Sequence, residues 1–273
     1  MPSVASELLH ALRSLGGSVP RFRAPDLDVI ERALRDVQAT IARCGDEQIE
    51  ILSVGDSRFP ARLLLSDDHP LVLFAKGNLS ALSSQVAVAV IGSRAASGQA
   101  LAAARRIGEA LASQGVVVVS GLAAGCDAEA HWGVVQGRGV GVGVLAHGLD
   151  TSSPASSRSL SEKLLECDGC LASEYPPGEP PRKRYYVDRD RIQSGLSCGV
   201  VLVEAMAGSG SMHTIGFAET QRRPIACVEY ASPEPMGTAN EELLKNSRAT
   251  AVRTPEEVLA WCTNHLHERN NSD

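Results

Sequence analysis

Three short turns, each following an apolar run, hold the residues of this sequence that could bind an anion. The first reads IGSRAASG, residues 91–98, and follows the run VAVAV. Gly92 allows a tight turn, and the alanine-rich stretch 98–114 predicts a helix directly after it. Ser93, Arg94 and Ser97 would then surround a helix N-terminus, where unpaired N–H groups and a partial positive charge favour anions. A guanidinium in that position can bind phosphate in a bidentate way, so the turn predicts a phosphate site.

An ordinary structural role remains an alternative for this turn. The GSR sequence lacks the complete spacing of a dinucleotide-binding or P-loop motif. Ser93 or Ser97 could be a simple helix N-cap, and Arg94 could be a solvated turn residue. The turn by itself does not decide between the two interpretations.

The second turn lies in VVVVSGLAAGCDAEAH and has the same character at Ser120 and Gly121. Its small residues would let the backbone approach a ligand closely. Asp127 and His131 follow one helical turn apart, so Asp127 could bind a sugar hydroxyl or orient His131. The commoner roles for such a pair are a helix cap and a histidine packed beneath the sheet.

The third turn, in AGSGSMHTIGFAETQ, leads from an apolar run into a predicted helix. It predicts a second anion site at a helix N-terminus, and His213 could face the ligand or cap the turn. Glu219 lies further along the helix, where a surface carboxylate is a commoner interpretation than a catalytic acid. The residues of the turn are Gly208, Ser209, Gly210 and Ser211.

A basic segment, RKRYYVDRDRIQSG at residues 182–195, gives an acidic chain a local excess of positive charge. Tyr185 and Tyr186 lie within it, and positive charge combined with aromatic rings is typical of single-stranded nucleic-acid binding. A charged segment of this kind can also be an ordinary solvated loop. The prolines of PPGEPP predict an extended loop that reaches the same edge as Arg94. The basic residues are Arg182, Lys183, Arg184, Arg189 and Arg191.

The elements that must position these residues are short and nearly continuously apolar: VAVAVI, VVVVSG, VGVGVL, GVVLVEA and PIACVEY. Continuous apolarity means that both faces of a strand are buried, as in a parallel sheet covered by helices. We therefore predict an α/β fold with a doubly wound, mostly parallel, Rossmann-like sheet, whose carboxyl edge gathers the turns. Helical patterns at residues 6–15 and 26–45 predict a small N-terminal extension over 1–48, with the main domain over 49–273.

The composition limits the function further. A chain of 273 residues with 44% hydrophobic residues can bury one large core, and a net charge of −6 requires any nucleic-acid contact to come from a local patch. No apolar run is long enough to span a bilayer and no secretory signal is present, so we expect a cytoplasmic protein. The seven cysteines are scattered, and Cys167 with Cys170 forms only half of a zinc site, so no metal or cofactor is expected.

Taken together, the ordered motifs make the sequence similar to the DNA-processing protein A family, DprA, also called Smf. The resemblance covers roughly residues 50–258 and implies an extended Rossmann-like domain that binds single-stranded DNA without catalysis. It also implies a homodimer that helps to load a RecA-type recombinase, as in natural transformation. The motifs are VAVIGSRAASG, VVVSGLAAGCDAEAH, VGVGVLAHGLD, SEYPPGEPPRKRYYVDRDRIQSGLS, VVLVEAMAGSGSMHTIGFAETQRRPIACV and GTANEELLKNSRA.

The resemblance also assigns roles to residues. The family's GSR arginine and neighbouring basic residues line a pocket for the DNA backbone, with little sequence preference expected. One departure is that the family's arginine–asparagine–arginine run is here Arg189-Asp190-Arg191, so a carboxylate would lie beside the phosphate path and weaken the affinity. The matching positions are Ser93, Arg94, Ser120, Gly121, Arg191, Ser194, Gly195 and the turn 208–211.

Two other functions of the same superfamily remain alternatives. A nucleoside-monophosphate phosphoribohydrolase would need a glutamate three residues after the threonine of its glycine motif, and this chain has Phe217 there. A sensor domain for a nucleotide signal would use the same anion-binding turns. The basic, tyrosine-containing segment favours DNA, because a mononucleotide pocket has little need of five basic residues.

Overall fold

The structure, a computed structural model, describes residues 27–151, 155–231 and 238–270. The chain divides between Ala42 and Arg43 into two units. Most of the helix α1 (Leu27–Asp46) belongs to the first unit, and its bounds confirm the helix predicted over 26–45. The other predicted helix, residues 6–15, lies outside the described residues, and the domain boundary after residue 48 stays a prediction.

The described residues form one nine-stranded sheet in the order β1-β2-β6-β5-β4-β3-β7-β8-β9. The strands from β3 onward are mutually parallel, whereas β1 and β2 pair antiparallel at the β6 side. The predicted doubly wound, mostly parallel fold is therefore confirmed. The strands are β1 (Glu50–Ser53), β2 (Val72–Gly77), β3 (Ala87–Ile91), β4 (Val117–Ser120), β5 (Gly141–Leu145), β6 (Cys170–Ser173), β7 (Gly199–Leu202), β8 (Ile225–Val228) and β9 (Thr250–Val252).

The continuous apolar runs are explained by burial on both faces of the sheet. In β3, Val88 and Val90 pack into one core, while Ala89 and Ile91 point to the opposite face and pack into another. All five residues of this strand are buried. Strand alternation therefore places an apolar side chain in a core at every position, which is why the sequence shows no polar alternation.

Helices cover both faces of the sheet, and close backbone contacts fix some of them. A Cβ on Gly108 would lie 2.0 Å from the carbonyl oxygen of Ala130, so α2 and α3 pack at a distance that only glycine permits. No helix among the described residues is long and apolar enough to cross a membrane. The helices after α1 are α2 (Gly98–Ser113), α3 (Cys126–Gln136), α4 (Arg158–Glu166), α5 (Lys183–Leu196), α6 (Ser211–Thr220), α7 (Thr238–Lys245) and α8 (Pro255–Asn270).

The basic segment 182–195 is the main difference from the predicted elements. It was predicted as an extended loop, but Lys183–Leu196 is the helix α5. Ile192 and Leu196 pack into the core on one face of the sheet, and this burial stabilises the helix. The prediction of an extended loop was therefore wrong, and the side chains of the segment are distributed around a helix rather than along one exposed strand.

Strand β3 lies between β4 and β7, which makes it the topological switch point of the sheet. The chain leaves β3 and β7 towards helices on opposite faces, so a crevice opens between the two turns at the carboxyl edge. Ligands of open α/β sheets bind in such a crevice. The first and third predicted anion-binding turns both end here.

Candidate functional site

A cavity of about 570 Å³ opens at this switch point. Four segments of the chain line it: the turn after β3, the start of α3, one side of α5 and the turn that begins α6. The structure therefore brings together the parts of the predicted site that come from distant stretches of sequence. The predicted residues in its lining are Gly92, Ser93, Arg94, Asp127, Lys183, Tyr186, Arg189, Ser209, Gly210, Ser211 and His213.

The turn after β3 packs tightly against α3 on one side and is exposed on the other. A Cβ on Gly92 would lie 2.5 Å from the sulfur of Cys126, so the turn can only approach α3 with glycine at this position. The N–H of Ser93 donates to the carbonyl oxygen of Glu204 over 2.7 Å. Arg94 itself is exposed, and its guanidinium carbon lies 4.8 Å from the centre of the Tyr186 ring. The backbone is thus held while the charged group remains accessible to a ligand.

At the N-terminus of α2, a carboxylate of the chain itself occupies the position that an anion would take. The Ser97 N–H donates to Glu204 Oε1 over 2.9 Å, and the Ser97 hydroxyl donates to Oε2 over 2.5 Å. The same hydroxyl accepts a bond from the N–H of Ala100, which is the geometry of an N-cap. Glu204 is buried. The alternative N-cap role of Ser97 is the one observed, and a contact between Ser97 and a ligand stays a prediction.

The N-terminus of α6 is different. Gly208 has a φ of +74°, which turns the chain into the helix, and Ser209, Gly210 and Ser211 line the cavity. Among the described residues, no side-chain carboxylate is hydrogen-bonded to the N–H of Gly210 or Ser211. The partial positive charge of this helix therefore faces the cavity without an internal counter-ion.

The floor of the cavity contains a buried charge cluster. Arg189 lies with its Nη2 atom 3.6 Å from Asp127 and its Nε atom 3.3 Å from Asp190. A Cβ on Gly121 would lie 2.1 Å from Nη1 of Arg189, so glycine at the second turn makes room for the guanidinium. Arg189 is therefore a structural cation neutralised by two carboxylates, and not a free phosphate contact as predicted.

Burial changes the ionisation of both carboxyl groups. It raises the pKa of Asp190 to about 7, against the opposing attraction of Arg189. Burial also raises the pKa of Asp127, although the Arg189 charge acts in the opposite direction. With both carboxylates ionised, the cluster has a net charge of −1, and with one of them protonated it is neutral. The charge that a bound phosphate would meet therefore depends on pH.

Four further residues of the predicted site lie against internal partners in the structure. Arg191 donates to both carboxylate oxygens of Glu174, at 2.7 and 2.8 Å, and is occupied there. Ser194 is buried and its hydroxyl donates to Gln221, while a Cβ on the buried Gly195 would meet Leu63. The hydroxyl of Ser120 is buried and donates to the carbonyl oxygen of Val90. These side chains hold α5 and the sheet in place.

The two tyrosines of the basic segment lie in different environments. Tyr185 is buried and stacks on Tyr175 with ring centres 3.7 Å apart, so it is closed to bases, contrary to the prediction. Tyr186 lines the cavity. Arg184 is exposed and lies against Tyr185, while Arg182 pairs with Glu179 over 2.8 Å at the same exposed end of α5. Lys183 is the residue of the triplet in the cavity lining.

His131 is buried away from the cavity lining, and burial lowers its pKa to about 4. The alternative of a histidine packed beneath the sheet is therefore the one observed, whereas Asp127 faces the cavity. Cys167 is partly exposed and Cys170 is a free, buried strand residue. Within the described ranges, no three His, Cys, Asp or Glu side chains are grouped as metal ligands would be.

Two functional features were missed in the sequence. Glu204 ends the apolar run VVLVE, and a lone carboxylate after a buried strand is the signal in the sequence for its occupation of the α2 N-terminus. Thr214 and Gln193 also line the cavity and hydrogen-bond Asp190. The side-chain nitrogen of Gln193 donates to Asp190 Oδ1 over 3.2 Å. Thr214 lies about one helical turn inside α6 and Gln193 about three turns inside α5, where no turn motif marks them.

The sequence matches a family of known proteins. The sequence model of the DNA recombination-mediator protein A family matches residues 50–263. The chain belongs to this family. The predicted resemblance to DprA and Smf proteins is thereby confirmed.

Its relatives include Protein Smf of Escherichia coli K12, which is 42% identical over 217 residues, covering 78% of this chain and 56% of that protein. DprA of Streptococcus pneumoniae R6 is 34% identical over 208 residues, covering 76% and 72%. The chain thus spans little more than half the length of the E. coli relative.

Two solved structures of DprA proteins have the same fold. The S. pneumoniae DprA structure superposes with a TM-score of 0.79 at 29% identity, covering 94% of this chain and 91% of the other. The Helicobacter pylori DprA structure, described for its single-stranded DNA binding mode, gives 0.70 at 23% identity, covering 81% and 97%. The second likeness concerns the fold alone.

Proposed function

We propose that this chain binds single-stranded DNA in the cavity at the switch point and acts in DNA recombination. Arg94 and the N-terminus of α6 bind backbone phosphates, and Lys183 contributes a further positive charge. The role is one of binding and requires no chemical step. On the family resemblance, the chain forms a homodimer and assists a RecA-type recombinase to assemble on the strand.

The observation that carries the proposal is the state of Arg94. Other arginines near the cavity are neutralised: Arg189 by two carboxylates and Arg191 by Glu174. Arg94 is exposed, lines the cavity, and has no carboxylate within 4.0 Å among the described residues. An accessible guanidinium beside an uncompensated helix N-terminus is a binding site for a phosphate oxygen.

The relatives support the same ligand. One solved relative was described for its single-stranded DNA binding mode, and the family is named for DNA recombination. Because the whole chain has a net charge of −6, binding must depend on the local charges of Arg94, Lys183 and Arg184. Such binding is expected to weaken steeply with salt.

A nucleotide sensor remains a second candidate because of the shape and charge of the site. Its volume of about 570 Å³ falls within the usual range of small-ligand pockets, roughly 300–1,000 Å³. Its floor also includes the carboxylates of Asp127 and Asp190, which would repel a polyanion but would accept hydrogen bonds from a sugar hydroxyl. Competition by mononucleotides separates this candidate from DNA.

The test is fluorescence anisotropy of a labelled oligo-dT over a salt series. We expect Arg94→Ala to lower the affinity and to reduce the slope of log K against log salt by about 0.7, the value for one phosphate contact on a single strand. Arg106→Ala is the matched control, since Arg106 is an exposed arginine on α2 outside the cavity lining. Equal affinity and slope for Arg94→Ala and the unaltered protein would contradict the proposal.

The finer parts of the proposal need separate measurements. A homodimer predicts a sedimentation mass of twice 28.7 kDa at micromolar concentration. Assistance to a recombinase predicts faster assembly of a RecA-type filament on DNA that the protein has bound. Arg94→Ala should remove that acceleration, and Arg106→Ala should retain it.

A further inference from the structure

The floor of the switch-point cavity contains a buried acceptor without a donor. Gln193 is 1% exposed and lines this cavity, and its side-chain nitrogen donates to Asp190 Oδ1 over 3.2 Å. Its side-chain oxygen Oε1 accepts no hydrogen bond from any residue that the structure describes. A buried acceptor is destabilising unless a donor reaches it, so this atom marks a place where a bound group can donate.

The groups next to Gln193 in the floor are acceptors as well. Asp190 receives hydrogen bonds from Gln193 and Thr214, and its Oδ1 atom lies 3.3 Å from an Arg189 nitrogen, Nε. Asp127 also lines the cavity, with Oδ2 3.6 Å from Nη2 of Arg189. A carboxylate has about four lone-pair sites, so these contacts leave both carboxylates able to accept further bonds. The floor therefore favours a ligand that donates hydrogen bonds.

Other walls of the same cavity carry the proposed phosphate sites. Arg94 is exposed there, and the N–H groups of Gly210 and Ser211 have no hydrogen-bonded carboxylate within the described part of the chain. The volume of about 570 Å³ can hold one nucleotide, since small-ligand sites measure roughly 300–1,000 Å³. The sugar of a nucleotide is joined directly to the phosphate, so its hydroxyl groups lie closer to a phosphate bound at Arg94 than the donors of the base do.

The 2′-hydroxyl is the sugar donor that distinguishes a ribonucleotide from DNA. A deoxyribose within a DNA strand has no free hydroxyl, whereas the ribose of RNA or of a free ribonucleotide has a 2′-hydroxyl that can donate. We propose that Gln193 and Asp190 accept a hydrogen bond from the 2′-hydroxyl of a ribose whose phosphate binds Arg94. This ribose subsite rests on the proposed function and extends the ligands of its phosphate site to ribonucleotides. A ribonucleotide, free or within a strand, therefore competes with DNA for the cavity.

The experiment compares ligands that differ in this hydroxyl alone. Oligo-U and oligo-dU of equal length test a strand, and UMP and dUMP, as competitors of labelled oligo-dT, test a free nucleotide. Anisotropy is measured at about pH 8, where Asp190, with a pKa of about 7, is mainly ionised and accepts hydrogen bonds. We expect the ribose member of at least one pair to bind about tenfold more tightly, as one hydrogen bond to a buried acceptor pair should provide.

Two variants and a matched control assign the preference to the floor. Gln193→Met removes the acceptor oxygen from an unbranched side chain and should reduce the ribose preference to about twofold or less. Asp190→Asn replaces one acceptor oxygen by a donor and should have the same effect. It is the deciding variant if thermal unfolding shows that Gln193→Met does not fold. Gln136→Met makes the same change at an exposed glutamine of α3 outside the cavity lining, and it should keep the full preference.

The outcomes separate the ribose subsite from the proposed function. A preference in the strand pair alone supports the subsite with RNA as the source of the ribose, and one in the nucleotide pair alone supports it with a free ribonucleotide. Equal affinity within both pairs, with salt-dependent binding of oligo-dT retained, would overturn the subsite alone. A full preference that survives in both Gln193→Met and Asp190→Asn would also overturn it. Failure of every ligand to bind at low salt would overturn the DNA-binding proposal and the subsite with it.

Discussion

The N-termini of α2 and α6 face the same crevice, yet only one of them is open to a ligand. Each follows a central parallel strand and each is preceded by glycine and serine. At α2, Glu204 accepts hydrogen bonds from the N–H and the hydroxyl of Ser97. At α6, no carboxylate among the described residues is hydrogen-bonded to Gly210 or Ser211 through their N–H groups.

The comparison teaches that a helix N-terminus predicts a place for an anion but not the source of that anion. At α2 the chain supplies its own carboxylate, and the result is stability. At α6 the position is open, and we propose that an external anion binds there. The following predictions test this difference, beginning with the largest expected effect.

Removing the internal anion should affect stability rather than binding. Glu204→Ala leaves the N–H and hydroxyl of Ser97 without their buried partner, which costs about 1–3 kcal/mol in the free energy of unfolding. Urea denaturation measures this loss. The anisotropy affinity of the folded protein for oligo-dT should not fall, and a large loss of affinity at unchanged stability would reverse the assignment of the two termini.

Adding an internal anion at the open terminus should have the opposite outcome. Gly210 has an ordinary helical φ of −54°, and a Cβ there would meet no atom within 4 Å, so Gly210→Glu can be accommodated. Its carboxylate should compete with a DNA phosphate and lower the affinity about tenfold, near 1.4 kcal/mol. Gly210→Gln is the uncharged control of the same size and should retain most of the affinity.

The pH dependence of binding should report on Asp190. Because burial raises its pKa to about 7, the group is increasingly ionised as the pH rises from about 6 to 8, and the added negative charge repels phosphate. DNA affinity should therefore fall over this range, and Asp190→Asn should flatten the profile. Other charges at the site are Asp127, Arg94, Arg189 and Lys183.

His213 lines the same cavity, so both profiles are measured in a His213→Gln background. The free energy of unfolding of the protein should also fall as the pH rises. A carboxyl whose pKa is raised on folding is protonated in the native state and ionised in the unfolded chain between about pH 4 and 7, so stability falls as the pH rises through that range. Asp190→Asn should remove part of that decline, and an unchanged decline would exclude Asp190 as its source.

The smallest effect concerns two basic residues of α5. Lys183 lines the cavity, whereas Arg191 is paired with Glu174. Lys183→Ala should lower the oligo-dT affinity about threefold at low salt with little change in stability. Arg191→Ala should lower the thermal midpoint and leave the affinity of the folded protein unchanged. The reverse result would place the bound DNA strand on the other side of helix α5.

The sheet could be predicted from the sequence because its signal is local. In β3, every residue of AVAVI is apolar and buried, so the run itself records that both faces are covered. Helix α5 was not predicted, because its buried side contains Arg189, Asp190 and Gln193 as well as apolar residues, and no apolar stripe results. Its polar residues are buried only because partners such as Asp127 lie elsewhere in the chain.

The same limit applies to the site. Arg94 and the turn at 209–211 were predicted to share an edge, and they do, since the carboxyl ends of parallel strands lie together. That Arg189 and Arg191 are neutralised depends on Asp127 and Glu174, whose proximity only the fold determines. The occupation of the α2 terminus likewise depends on a residue 107 positions away from Ser97.

The separation of Ser97 and Glu204 also bears on how the site comes into being. Strand β3 pairs directly with β7, so neither wall of the crevice is complete until the chain has been synthesised well past β7. At about 5–20 residues per second, the intervening 107 residues take roughly 5–20 s to translate, and such non-local pairings form slowly. A nascent or partly folded chain therefore lacks the switch-point cavity. Binding of single-stranded DNA would then report that the central strands of the sheet have paired.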